Sequence, residues 1–147
     1  MNLTNKYDLI VIGSGPGGRR AAIQAAKFSK KVLVIEKSER VGGVSVHTGT
    51  IPSKTLRETA LNLSGWHERE FYGQSYRVKQ NITAADLKNR LHMTLDHEVE
   101  VLKHQFARNA VETLTGIARF VSPTTVDVEF DDGEVEQFSA EKFIIAV

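Results

Sequence analysis

The feature that most constrains this chain is the run Gly13-Ser14-Gly15-Pro16-Gly17-Gly18, set directly after the apolar stretch Tyr7 to Ile12 (YDLIVI). A short run that is apolar at nearly every position suits a strand buried on both faces, as in a parallel sheet. Arg19 to Ser29 follows with the small side chains Ala21, Ala22, Ala25 and Ala26, and reads as a helix able to pack closely. Lys31 to Glu36 (KVLVIE) reads as a second buried strand. Strand, tight turn, helix and strand within about 30 residues make a βαβ unit. The expected fold class is therefore α/β, with a Rossmann-like parallel sheet.

The spacing Gly13-x-Gly15-x-x-Gly18 gives each glycine a task. Gly13 permits the tight turn, Gly15 lets backbone approach a pyrophosphate, and Gly18 lets the helix pack on the strand. Pro16 and Gly17 complete the turn, and the free N–H groups and partial positive charge of the helix start suit phosphate oxygens. Arg19 and Arg20 open that helix and are read as solvated. Glu36 ends the second strand, 18 residues after Gly18. A carboxylate there accepts hydrogen bonds from ribose hydroxyls and repels a 2′-phosphate. A lone GxGxxG also occurs in turns that bind nothing; the strand before it, the helix after it and the acid at this distance make an adenine dinucleotide the expected ligand.

NAD and FAD both fit the fingerprint. An NAD-binding unit would continue with another helix and parallel strand soon after Glu36. This chain instead has a loop over Lys37 to Gly43, then a mostly helical stretch from Val44 to Ser64 with Pro52 at a helix start or kink. Gly65 to Asn81 reads as an irregular connection, whose Trp66, Phe71 and Tyr72 are expected to pack ordinarily. Thr83 to Asn109 reads as a long helix. Thr83-x-x-Asp86 resembles a capping box, and Leu87, Leu91, Leu95, Val99, Leu102 and Phe106 make one apolar stripe, too short for a coiled coil. The period then changes to two. Gly116 to Val121, Thr124 to Phe130 and Glu134 to Phe138 read as a small meander of strands, with Asp131-Asp132-Gly133 as the hairpin turn. Lys142 to Val147 (KFIIAV) reads as a final buried strand. A parallel strand needs a continuation or a cover, so the chain reads as the N-terminal part of a longer protein. This departure after Glu36 favours FAD.

Composition excludes several classes. With 147 residues, 41% hydrophobic, 25% charged and a net charge of +1, nothing marks a dedicated nucleic-acid or membrane surface. No apolar run approaches the roughly 18 residues of a membrane span. The polar start, Met1 to Lys6, does not read as a secretory signal, so cytoplasm is the default location. There is no cysteine, which removes disulfides, thiolate metal sites and cysteine nucleophiles from this chain. His47, His67, His92, His97 and His104 lack metal-ligand spacing, and no metal is expected.

The stretch Gly42-Gly43-Val44-Ser45-Val46-His47-Thr48-Gly49-Thr50-Ile51-Pro52-Ser53-Lys54 resembles the active-site helix of the flavoprotein pyridine nucleotide-disulfide oxidoreductases, such as dihydrolipoamide dehydrogenase and glutathione reductase. The family pattern is GG-x-C-x-x-x-x-C-I-P-S-K, and its two cysteines form a redox disulfide beside the flavin. Ser45 and Thr50 stand in their places. Gly49 to Lys54, followed by Thr55-Leu56-Arg57-Glu58, looks most like the soluble FAD-dependent pyridine nucleotide transhydrogenases of that family. The resemblance runs from the first strand to the last and is loose between Gly65 and Asn109.

What the resemblance implies is an FAD site and a hydride-transfer enzyme. Gly13, Gly15, Pro16, Gly17 and Gly18 would line the pyrophosphate, with Glu36 and Lys37 at the adenosine ribose. Gly42, Gly43, Ser45, Gly49, Thr50 and Lys54 would lie along the flavin, and Thr50 and Lys54 are the implied catalytic positions. Taken alone, Ser45 and Thr50 are ordinary helix-terminal polar residues and Lys54 a solvated lysine. Residues 1–147 would be the N-terminal part of an FAD-binding domain, the NAD-binding and dimerisation domains lying outside this chain. NADPH and NAD⁺ would be the substrates, and the full-length protein a homodimer or higher homo-oligomer. Two further readings stay open: a dihydrolipoamide dehydrogenase-like flavoprotein lacking the redox disulfide, and a non-catalytic nucleotide-binding fragment.

Overall fold

Residues 5–65 and 83–147 are described by a computed structural model. Gly65 apart, the expected connection up to Asn81, with His67 and its three aromatic residues, lies outside the described residues. The chain divides into two units, Met1–Gly43 with Val99–Val147, and Val44–Glu98.

In the first unit the YDLIVI run forms strand β1 (Lys6–Ile12) and the KVLVIE run forms β2 (Val32–Glu36). They pair in parallel, Leu9 opposite Val32 and Ile12 opposite Ile35. Every residue of β2 is buried, as a strand covered on both faces requires. Helix α1 joins them over Pro16–Lys27. It begins three residues earlier than the expected Arg19, because Pro16 occupies the first helical turn, where its missing N–H costs nothing. Gly17 and Gly18 are therefore helical residues, not turn residues. Gly18 and Ala22 are the buried residues of the helix.

The sheet has six strands in the order β3-β2-β1-β6-β5-β4. Strand β3 (Glu112–Thr115) pairs in parallel with β2 and was not foreseen. Its polar, largely exposed sequence ETLT lacks the apolar signature of its neighbours. The expected Gly116–Val121 strand is β4 (Ile117–Ser122), which pairs antiparallel with β5 (Thr125–Glu129). Strands β3 and β4 stand at opposite ends of the strand order, yet only Gly116 separates them. The sheet must curl so that its two ends meet there. A Cβ on Gly116 would lie 2.6 Å from Val128 Cγ1 and 2.8 Å from the Glu129 carbonyl oxygen, so only glycine fits this crossing.

The two expected strands 134–138 and 142–147 are one continuous strand, β6 (Val135–Ile145). Ser139 is the point where it changes neighbours. Val135 to Ser139 pairs antiparallel with β5, and Ser139 to Ile145 pairs parallel with β1. The last part of β6 is not buried as expected: Ile144 is 37% and Ile145 66% exposed. Ala140 N–H still donates to Thr124 O at 3.1 Å; beyond it, among the described residues, β1 is the neighbour β6 retains. The Asp131-Asp132-Gly133 hairpin forms as expected, Phe130 N donating to Glu134 O at 2.9 Å.

The core of this unit gathers Tyr7, Ile10, Leu33, Ile35, Val126, Val128, Phe138 and Ala140. The Tyr7 hydroxyl donates to Glu112 Oε2 at 2.6 Å, reaching past β2 from β1 to β3. The Lys31 ammonium sits 4.3 Å from the centroid of the Tyr7 ring.

The second unit holds two further helical stretches. The expected helix 44–64 is broken into α2 (Gly43–His47) and α3 (Thr50–Ser64), because Gly49 approaches the first of them too closely for a side chain, 2.8 Å from Val44 O. Pro52 lies in the first turn of α3, where a proline is tolerated. The long helix α4 (Ala84–Arg108) contributes residues 84–98 here and its last turns to the first unit. The Thr83–Asp86 capping box is reciprocal: Thr83 N donates to Asp86 Oδ2 at 2.9 Å, and Asp86 N donates to Thr83 Oγ1 at 3.3 Å. Val99, Leu102 and Phe106 of the apolar stripe are its buried residues.

Candidate functional site

In the first unit the structure brings Gly13 to Gly18, Glu36, Gly42 and Gly43 together. Gly13 leaves β1 with φ of +102°, a conformation that strains any side chain, and its N–H donates to Ile35 O at 2.8 Å. A Cβ on Gly13 would lie 2.4 Å from the carbonyl oxygen of Ala146, and one on Gly18 would lie 2.0 Å from the carbonyl oxygen of Gly13. These two glycines are closed by backbone. Gly15 and Gly17 are open: nothing lies within 4 Å of a Cβ at either.

Gly15 is the N-cap of α1, and the helix ladder opens with Arg19 N donating to Gly15 O at 2.9 Å. The N–H groups of Gly17 and Gly18 precede that ladder and have no intrahelical acceptor. No acidic side chain stands in the first turn to repel an anion. Arg19 is half-buried and Arg20 exposed. Open backbone at Gly15, donors at the helix start and a positive helix end fit the pyrophosphate of a dinucleotide.

Glu36 is buried, 8% exposed, at the end of β2. Its Oε2 accepts both the backbone N–H of Ser14, at 2.9 Å, and the Ser14 hydroxyl. Oε1 accepts Ser38 N–H at 3.1 Å. Burial pushes the carboxyl up, but the hydroxyl and N–H of Ser14 and the backbone N–H groups of Ser38 and Lys37 outweigh it and hold it below the usual carboxylate range. Glu36 is thus kept ionised by neutral donors. Its own carbonyl oxygen accepts Gly116 N–H at 2.9 Å, so the crossing that closes the sheet also anchors the acid. The Lys37 side chain is exposed.

Ser14 is a residue that sequence reasoning passed over. It is 1% exposed and its hydroxyl also accepts Gly42 N–H at 2.9 Å. It occupies a free position of the fingerprint, where attention to the glycines left no signal. Ala146 was missed as well. Its N–H donates to Ile12 O at 2.8 Å, and its Cβ would stand 3.2 Å from a Cβ on Gly18. The small apolar residue at the end of KFIIAV was its only mark in the sequence.

In the second unit Ser45 lies half-buried on α2, Gly49 caps α3, and Thr50 is its exposed first residue. Ser53 Oγ donates at 3.1 Å to both the Gly49 and Thr50 carbonyls, holding the first turn of α3. Lys54 is exposed and borders an open groove of about 340 Å³ between α3 and α4, with Thr55, Glu58, Arg90, Thr94 and Glu98. Of the histidines, His47 lies on α2 and His92, His97 and His104 on α4. Among the described residues, no group of three or more His, Asp or Glu side chains could hold a metal ion, and no helix is long and apolar enough to cross a membrane.

A Rossmann-like α/β domain with a glycine-rich turn at the start of its first helix is what the structure shows, and comparison with known proteins gives the family. The family described as FAD dependent oxidoreductase matches residues 8–144, and this chain belongs to it. The soluble pyridine nucleotide transhydrogenase of Mycobacterium bovis is 52% identical over 124 residues, which are 84% of this chain and 26% of that protein. The transhydrogenase of the same name from Colwellia psychrerythraea is 39% identical over 140 residues, covering 95% of this chain and 30% of its own length. One from Escherichia coli is 40% identical over 140 residues, with the same coverage of 95% and 30%. The chain thus spans between a quarter and a third of the length of these relatives. The expected cofactor, FAD, agrees with the family.

Proposed function

We propose that the protein carrying this chain is a soluble, FAD-dependent pyridine nucleotide transhydrogenase, transferring hydride between NADPH and NAD⁺. The observation that carries the reading is the combination at one site of an open Gly15, the start of α1 and an ionised Glu36, in a chain half identical to proteins of that name. The residues present fit FAD. Gly13, Gly15, Pro16, Gly17 and Gly18 would hold its pyrophosphate, and Glu36, with Lys37 beside it, its adenosine ribose. Gly42, Gly43, Ser45, Gly49, Thr50 and Lys54 would lie along the flavin, Thr50 and Lys54 nearest the reacting atoms. FAD supplies hydride acceptance and donation.

The chain's own residues bind, orient and polarise. The helix start offers N–H donors to phosphate, Glu36 accepts from ribose hydroxyls, and Lys54 brings a cation toward the flavin ring. No thiol relay is needed. Reducing a disulfide through this scaffold requires a thiolate and a resolving thiol. Ser45 and Thr50 stand at those two positions, and the chain has no cysteine. Residues 1–147 form the N-terminal part of the FAD-binding domain in this reading, the NAD-binding and dimerisation domains lie elsewhere in the protein, and the whole works as a cytoplasmic homo-oligomer.

The test is a pair of assays on the full-length protein: NADPH with thio-NAD⁺ as acceptor, and NADH with lipoamide. Hydride exchange in the first and no turnover in the second is expected. Turnover of lipoamide without transhydrogenation overturns the reading.

A further inference from the structure

We infer that Ser14 is the positioning residue of the ribose site: it locks Glu36 so that one carboxylate oxygen faces inward and the other, Oε1, is left to meet the ribose hydroxyls. This rests on the FAD site proposed above and deepens it. The two oxygens of Glu36 are not equivalent. Oε2 takes the N–H and the hydroxyl of one residue, Ser14, and both bonds are buried. Oε1 takes the N–H of Ser38 through a partly buried bond. Oε1 is thus the oxygen that Ser14 does not engage; the N–H of Lys37 also donates to this carboxylate, and a carboxylate offers about four acceptor sites in all.

The direction of the Ser14 hydroxyl is fixed by its surroundings. Gly42 N–H has no choice but to donate, so Ser14 Oγ accepts from it at 2.9 Å. The single hydroxyl proton then goes to Glu36 Oε2. Ser14 thereby joins three segments at one buried atom: the turn after β1, the end of β2 and the loop that leads to Gly43. Without the hydroxyl, Glu36 loses a donor, Gly42 loses an acceptor, and the carboxylate is held by backbone N–H groups alone. The backbone N–H of residue 14 survives replacement by alanine or glycine, so the carboxylate stays in place while its aim is relaxed. The consequence falls on hydroxyl recognition, not on phosphate binding, which depends on Gly15 and the start of α1.

The experiment uses the full-length protein, stripped of flavin, and measures competition by ADP and by 2′-deoxy-ADP for FAD rebinding. In the unmodified protein ADP binds more tightly than 2′-deoxy-ADP by roughly tenfold or more, as expected for a hydroxyl donating to a carboxylate. Ser14→Ala brings that ratio close to one while 2′-deoxy-ADP binds as before. The same substitution in the Glu36→Gln background leaves the ratio of that background unchanged, because the lock has no carboxylate to aim. A mere packing role for Ser14 would weaken both nucleotides equally and keep the ratio, and that result overturns the inference. Ser14→Gly, which also lacks the hydroxyl, must reproduce the loss; retention of the ratio in Ser14→Gly overturns it too. Failure of the unmodified protein to bind ADP overturns the FAD-site reading itself, which separates the two claims.

Discussion

Gly43 lies against Gly15 so closely that a Cβ on it would stand 2.9 Å from the Gly15 Cα. Gly15 and Gly43 belong to two glycine motifs far apart in sequence that are one surface in space. Gly43 also has a φ of +63°, which side chains rarely adopt. Gly43→Ala is therefore expected to displace the backbone at Gly15 and to destabilise the domain by about 1–3 kcal/mol through combined strain and overpacking. Urea unfolding of the variant, together with its flavin content, checks this; native stability with full flavin would refute it.

Tyr7 is expected to make the domain alkali-sensitive. Burial first, then the hydrogen bond to Glu112 and the charges of Glu112 and Glu136, raise its hydroxyl far above the ordinary value of 10.0. A raised pKa means the folded state holds the proton more tightly than the unfolded chain does. The contribution is thus complete below about pH 10 and is lost as pH climbs above it toward the folded value. Unfolding free energies measured at pH 8 and pH 11 should fall more steeply in the native protein than in Tyr7→Phe. At pH 8 the substitution should cost about 1 kcal/mol, since Glu112 is exposed and can turn to water. Equal slopes in the two proteins would remove this role from Tyr7.

Ala110, two residues past the end of α4 at Arg108, has φ of +55°, a left-handed conformation that a Cβ disfavours. Ala110→Gly should stabilise the protein by about 0.5–1 kcal/mol, the relief of strain exceeding the added freedom of the unfolded chain. Thermal unfolding would register the gain as a small rise in Tm. Flavin content should stay unchanged, which makes this variant a control for the site substitutions. A fall in Tm would show that the strain is compensated.

Local rules made much of this fold legible. The unit from Tyr7 to Glu36, the Thr83–Asp86 cap and the Asp131–Gly133 hairpin each follow from neighbours within a few residues, and each stands where expected. What escaped was set by distant pairing. Strand β3 is held by β2, and its sequence is polar because it lies at an edge. The two halves of β6 belong to different partners, which no period in the sequence reveals. Gly116 reads as the first residue of a strand until the curled sheet places Val128 and Glu129 against it. At the site, the glycines and Glu36 were legible because their spacing has a chemical reason. Ser14 was not, because a serine in a turn carries no signal until its hydroxyl is seen between Glu36 and Gly42.

The most direct test of the central claim is the cofactor content of full-length Gly15→Val beside that of the native protein. Gly15 has nothing within 4 Å of its Cβ position and a φ of −62°, so a side chain there starts in open space on unstrained backbone. Loss of glycine at the N-cap should cost no more than about 1 kcal/mol of stability. The new side chain instead fills the space where the pyrophosphate would approach the backbone. The native protein should release one FAD per chain on denaturation, and Gly15→Val should be folded, with nearly native Tm, and colourless. Undiminished FAD in a folded Gly15→Val, or no flavin in the native protein, would contradict the account.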